Sequence, residues 1–230
     1  MKIIDFGKNT YQYEIDFKFD CISPEIVRKI VENLHIVKKQ FSAVAKDAAT
    51  NQTALTQGQG TGESPFYQLR VGSDKILMWV GWYVSYEKWL QWRSSILSEL
   101  LMSLEAIPIE LVTAFSSQYA FIVPVEKLNR SDQIPELAPV RAFYGRFVPE
   151  ELLKRTNAYL TFGDEGGKEI RSLLLGGGAN PNEGNITFNV RWNAFDSKAG
   201  LEQNIRAYTA RADKLMESCN SGLLSLLVKS

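Results

Sequence analysis

A chain of 230 residues with 45% hydrophobic and 11% aromatic side chains has ample material for a packed core and lies outside the disordered class. Its 26 Lys and Arg balance 26 Asp and Glu, which excludes a long-range pull toward nucleic acid or an anionic membrane but leaves local basic patches open. Two cysteines, Cys21 and Cys219, and the single His35 are too few for a disulfide framework or a structural zinc set, so no metal and no cofactor are expected.

The first residues carry charges where a signal peptide needs an unbroken apolar stretch, and the longest apolar run, Ile76 to Val84 with Gly81 inside it, is far below the roughly 20 residues of a membrane span. A cytoplasmic location is expected. Residues 12–20 alternate strictly, with Tyr13, Ile15, Phe17 and Phe19 on one side, and predict a half-buried strand. Ser23, Pro24 and Glu25 supply a cap, a φ-locked first position and an acid at the positive end of a helix. Ile26, Ile30, Leu34, Val37, Phe41 and Val44 predict that it is long, and His35 lies off this stripe among Arg28, Glu32 and Lys39, where a solvated imidazole is expected.

Residues 46–65 turn to Ala, Thr, Asn, Gln, Gly and Ser and predict a long mobile loop, with Gly58, Gly60 and Gly62 unflanked by the strand and helix that a phosphate-binding turn requires. Residues 66–71 and 75–83 read as a hairpin over Gly72, Ser73 and Asp74. Ser85 caps an amphipathic helix with Tyr86, Trp89, Leu90, Leu97, Leu100, Leu101 and Leu104 on one face. Further strands are predicted at 110–125, 140–147, 157–163, 168–175 and 185–193, a short helix near Pro149, and a last helix from Ser197 to Cys219.

Ile76, Met78, Val80 and Trp82 recur 110 positions later as Ile186, Phe188, Val190 and Trp192, each set on one face of a strand and each followed by an amphipathic helix. The expected fold is therefore α+β: a mostly antiparallel sheet with long amphipathic helices on one face, built from two strand-hairpin-helix halves, 1–108 and 109–230, packed as one unit. The order of elements, with Tyr86-Glu87-Lys88-Trp89 opening the middle helix, resembles a sporadically distributed family of bacterial proteins of similar length that has no assigned activity. The family's Arg-Tyr pair on the next strand is absent, Leu111 to Phe115 standing there instead. The resemblance implies this fold, no catalytic residues, and an accessory role such as defence or toxin neutralisation.

Arg93 is the charge out of place, four residues after Trp89 and four before Leu97 within the apolar stripe. It either reaches an internal carboxylate or water along its stem, or serves an anion or a partner. Neighbouring Trp92, with Trp79, Trp82 and Trp89, belongs to a cluster that is core unless its members are exposed, in which case they mark an interface. Arg141, Arg146 and Arg155, interleaved with aromatics such as Tyr144, suit stacking on bases and pairing with phosphates, and Gly177 sits in a glycine-rich connection compatible with the same reading. Arg70, Arg171 and Arg191 on predicted strands would add to it. No nucleophile-base pair is apparent. The expectation is a non-enzymatic binding protein or complex subunit with a protein partner or a second copy of itself. An RNA-binding or RNA-processing component and a small-molecule enzyme with residues 46–65 as lid stand as alternatives.

Overall fold

In the computed structural model the described residues are 8–18, 21–35, 37–47, 51–58, 65–81, 83–105, 107–129, 146, 158–164, 166–177 and 182–224. Alternation decides the central strand. In β1, Lys8–Phe17, every second side chain from Asn9 to Phe17 is buried, and the intervening ones are half-exposed. Helix α1, Pro24–Asn33, opens on Ser23, whose hydroxyl accepts from the Ile26 amide.

The long first helix expected to Val44 stops at Asn33. A 3-10 turn follows at Val37–Gln40, and β2, Ala43–Asp47, runs extended. Val44 is about half exposed, so it does not extend the helix's apolar stripe. Pairing of its strand with β3, Gln52–Gln57, prevails over helical spacing. The loop expected over 46–65 is corrected in the same way: β3 is held between β2 and β4, Phe66–Val71, with Thr53 and Leu55 turned into the core. Asn51, at φ 48°, takes the left-handed backbone that Asn tolerates at the entry to β3.

β5, Lys75–Gly81, leads to α2, Tyr86–Leu104, whose N-cap Ser85 accepts from the Lys88 amide. Ser85→Ala is expected to cost about 1 kcal/mol, read as a lower urea midpoint with unchanged m. After α2 come β6, Val112–Pro124; β7, Ala158–Gly163; β8, Glu169–Gly177; β9, Glu183–Trp192; and α3, Leu201–Cys219. The N-terminus of α3 has no side-chain cap on Gly200. Buried Asn204 braces it instead, donating to the carbonyls of Asp196, Ala199 and Gly200 and accepting from the Asp196 amide.

Among the described residues nine strands join one antiparallel sheet in the order β2-β3-β4-β5-β1-β6-β9-β8-β7. The helices lie on the face to which Tyr11, Tyr13, Phe115 and Tyr119 point: Trp89 of α2 stacks on Tyr11, and Tyr208 of α3 stacks on Phe115. The core is the layer between. Among the described residues no helix is long and apolar enough to cross a membrane. Residues 140–147, apart from Arg146, and the helix expected near Pro149 fall outside the described residues.

Candidate functional site

Every second strand residue points away from the helices, and the register aligns these residues across the sheet. Thr56, Gln68, Trp79, Gln12, Gln118, Asn189, Ser172 and Thr161 face one another in turn from β3 to β7. At about 4.8 Å between strands this row spans about 34 Å. All but Trp79 carry an amide or a hydroxyl, so the middle of the open face is a neutral surface rich in both donors and acceptors.

Six charges on this face are gathered into three pairs beside the row, and Arg70 stands apart from them. Lys75 donates to Glu14 at 2.8 Å, Arg191 to Asp16 at 2.7 Å and Lys8 to Glu183 at 2.6 Å. The Arg191 contact reaches from β9 across β6 to β1, over the small Ser116 and Ala114 that lie between them in the register. Gln12, Glu14, Ser116, Gln118, Asn189 and Arg191 thereby line a shallow recess of 140 Å³.

Partial burial, and then the Glu14 carboxylate, raise the Asp16 pKa above its ordinary value of 3.8 despite Arg191. A raised acid binds its proton more tightly folded than unfolded, so the stability Asp16 confers is greatest below that ordinary value and falls as pH rises through the raised one. Asp16→Asn is expected to remove this decline from a series of urea midpoints against pH.

On the opposite face, at the junction of α2, α3 and the sheet centre, sits a second polar cluster. Arg93, 2% exposed, donates through Nη1 and Nη2 to Oδ1 and Oδ2 of Asp213 at 2.9 and 2.6 Å. Tyr86 donates to Oδ1 of the same carboxylate at 3.1 Å. The guanidinium also lies over the rings of Tyr13 and Trp89 at 5.8 and 5.6 Å. Burial works against the guanidinium charge, but the Asp213 hydrogen bonds and charge outweigh it and raise the Arg93 pKa. Burial pushes the Tyr119 phenol up to about 12 and holds Tyr13, Tyr86 and Tyr208 above their ordinary value as well, so all four remain protonated. Tyr208 donates to the Val190 carbonyl, and Thr209 donates to the Tyr13 hydroxyl. This cluster ties both helices to the sheet from within.

No family model matches the chain, and no curated protein does. Among solved structures, the crystal structure of the di-domain ARO/CYC BexL from the BE-7585A biosynthetic pathway is similar at 10% identity over 96% of this chain and 99% of that one, with a TM-score of 0.25. A likeness of that size carries no argument about this chain.

The residues singled out from sequence separate in space. Arg93 meets an internal carboxylate, and Trp92 is buried against Phe41, Tyr67 and Trp89. Gly177 ends β8 opposite Gly184 on β9, and Arg146 is an exposed turn residue. Arg141, Tyr144 and Arg155 lie outside the described residues. His35 is exposed at the turn after α1. Arg70 and Arg191 do point to the open face, whereas Arg171 belongs to the helix side, where it donates to Glu169 at 2.5 Å. Sequence reading missed Gln12, Gln118 and Asn189, because a row running across strands exists only once the register is known. One signal was available: the dipeptide Gln-Tyr occurs at 12–13 and again at 118–119. Among the described residues no three His, Cys, Asp or Glu are grouped to hold a metal ion. The chemistry the open face offers is hydrogen bonding and aromatic contact.

Proposed function

We propose that the chain is a non-enzymatic binding protein, or a subunit of a complex, that docks a protein partner on the open face of its sheet. The observation that carries this reading is the neutral amide and hydroxyl row through Gln12 and Gln118, flanked by ion pairs already satisfied within the chain. With Lys8, Lys75 and Arg191 neutralised internally, the middle of the face is suited to a mainly polar partner surface, for which little charge must be desolvated, and Arg70 stands at its margin. An accessory role in defence or toxin neutralisation is consistent with a binding protein of this kind.

The same reading takes the two halves as copies of one unit. Trp79 and Asn189 are 110 positions apart, and they face Gln12 and Gln118 respectively. Gln12 is therefore the counterpart of Gln118, and these two face each other, so a local two-fold axis would run between them. The helices support it: Tyr86, Trp89, Arg93, Leu97 and Leu101 are all buried, and so are Leu201, Asn204, Tyr208, Ala212 and Met216, each 115 positions later. Trp82, the partner of Trp192 in the sequence match, is outside the described residues. On this view Arg93 and Tyr208 are counterparts, and the β1–β6 pairing, which the polar row crosses at Gln12 and Gln118, is where two equivalent edges were joined.

The test is a triple variant, Gln12→Lys, Gln118→Lys and Asn189→Lys, compared with the wild-type chain in copurification. Loss of the partner is expected from a chain that still unfolds cooperatively, its urea midpoint lowered only modestly by the like charges set opposite one another across β1, β6 and β9. Retention of the same partner, or a lone monomer that turns over a small substrate, contradicts the reading.

A further inference from the structure

The two wings of the open face differ in chemistry. On β4 and β5 it carries Phe66, Arg70, Leu77 and Trp79, with Arg70 beside Leu77 and Gln68 beside Trp79 in the register. Phe66 meets the Trp79 ring at 5.0 Å and 61°. The indole also lies against the bare backbone of Gly81, where a Cβ would come within 3.2 Å of Trp79 Cζ2 and 3.3 Å of Thr10 Cγ2. Gly81 and Phe66 thus hold the ring in one place, which reduces the entropy that a partner would otherwise lose in ordering it. The wing on β8 and β9 presents Ser172, Leu174, Thr187 and Asn189 at its corresponding height.

Charge separates the wings further. Lys8, Lys75 and Arg191 are each bonded to a carboxylate of the same face. Arg70 is exposed and, among the described residues, makes no ion pair. An unpaired guanidinium beside a fixed aromatic pair is the composition of an interface anchor.

We infer that this patch docks a protein segment in which a carboxylate stands next to a large apolar side chain, the carboxylate meeting Arg70 and the apolar group packing on Trp79, Phe66 and Leu77. The inference rests on the open face being the binding surface. Among the described residues of this patch Arg70 is the one free cation, which matches one carboxylate, to which Arg can bond through two N–H groups at once. Single-stranded RNA needs several phosphate contacts, and Glu14 and Asp16 stand beside this patch.

The experiment is selection of phage-displayed random dodecapeptides on the full chain. Peptides with Asp or Glu within a position or two of Leu, Phe or Trp are expected to be enriched. The same selection on Arg70→Glu is expected to exchange the acid for Lys or Arg, and Trp79→Ala is expected to weaken a selected peptide at least roughly tenfold. No enrichment, enrichment of basic or uncharged peptides, or binding indifferent to Arg70→Glu overturns the proposal. So does a polyuridine mobility shift that Trp79→Ala abolishes, which assigns the patch to RNA. Peptides sensitive to the triple lysine variant but not to Arg70→Glu would remove this inference and leave the open-face reading standing. Peptides indifferent to both would remove the two together.

Discussion

Asp213→Ala is expected to lower the unfolding free energy by about 3 kcal/mol, because it leaves the Arg93 guanidinium buried without a counter-charge. Tyr86 loses its acceptor in the same variant. Arg93→Met is expected to cost clearly less: Met fills much of the stem's volume, and the Asp213 carboxylate, 26% exposed, can be hydrated where it stands. Combining Arg93→Met with Asp213→Leu is expected to return stability close to that of the wild-type chain, as replacement of a buried ion pair by packed apolar groups often does. Urea unfolding of the three variants checks the order. Equal losses for the two single variants would mean that the pair is not insulated from water as its burial implies.

The second large effect contrasts two tryptophans on opposite faces of the sheet. Trp89 is fully buried, stacked on Tyr11 and beneath the Arg93 guanidinium, so Trp89→Ala is expected to cost about 3–5 kcal/mol through the cavity it leaves. Trp79 is half-buried on the open face against Phe66 and Gly81, and Trp79→Ala is expected to cost clearly less, about 1–2 kcal/mol. Binding should respond in the opposite order once each variant is measured at a temperature where it is folded. Thermal unfolding and peptide titration of the same two proteins give both readouts, and a stability loss for Trp79→Ala as large as that for Trp89→Ala would deprive the open face of its solvent-facing character.

The physical reason why some of this was legible in the sequence is periodicity. Strands β1, β5 and β9 each bury one face only, so alternation marks them plainly. Arg93 announces itself as a charge at the centre of an apolar stripe, yet its partner is 120 positions away and is chosen by how α2 and α3 cross the sheet. β3 escaped because Gln52–Gln57 has a loop's composition, and two flanking strands supply its backbone hydrogen bonds. The end of α1 escaped for a related reason: Val37, Phe41 and Val44 fit helical spacing as well as they fit a turn followed by a strand, and only pairing decides. The amide row was hidden most deeply, since its members come from eight strands and have no spacing in common along the chain.

That row and its aromatic wing carry the proposed binding role, which is tested most directly by where a bound partner lies. A benzophenone side chain introduced at Gln68 or Asn189 on the open face, or at Met102, exposed on α2, would be photolysed with the partner present. Adducts from the two open-face positions and none from Met102 are the expected result. Adducts from Met102 alone would place the partner on the helix layer and contradict it.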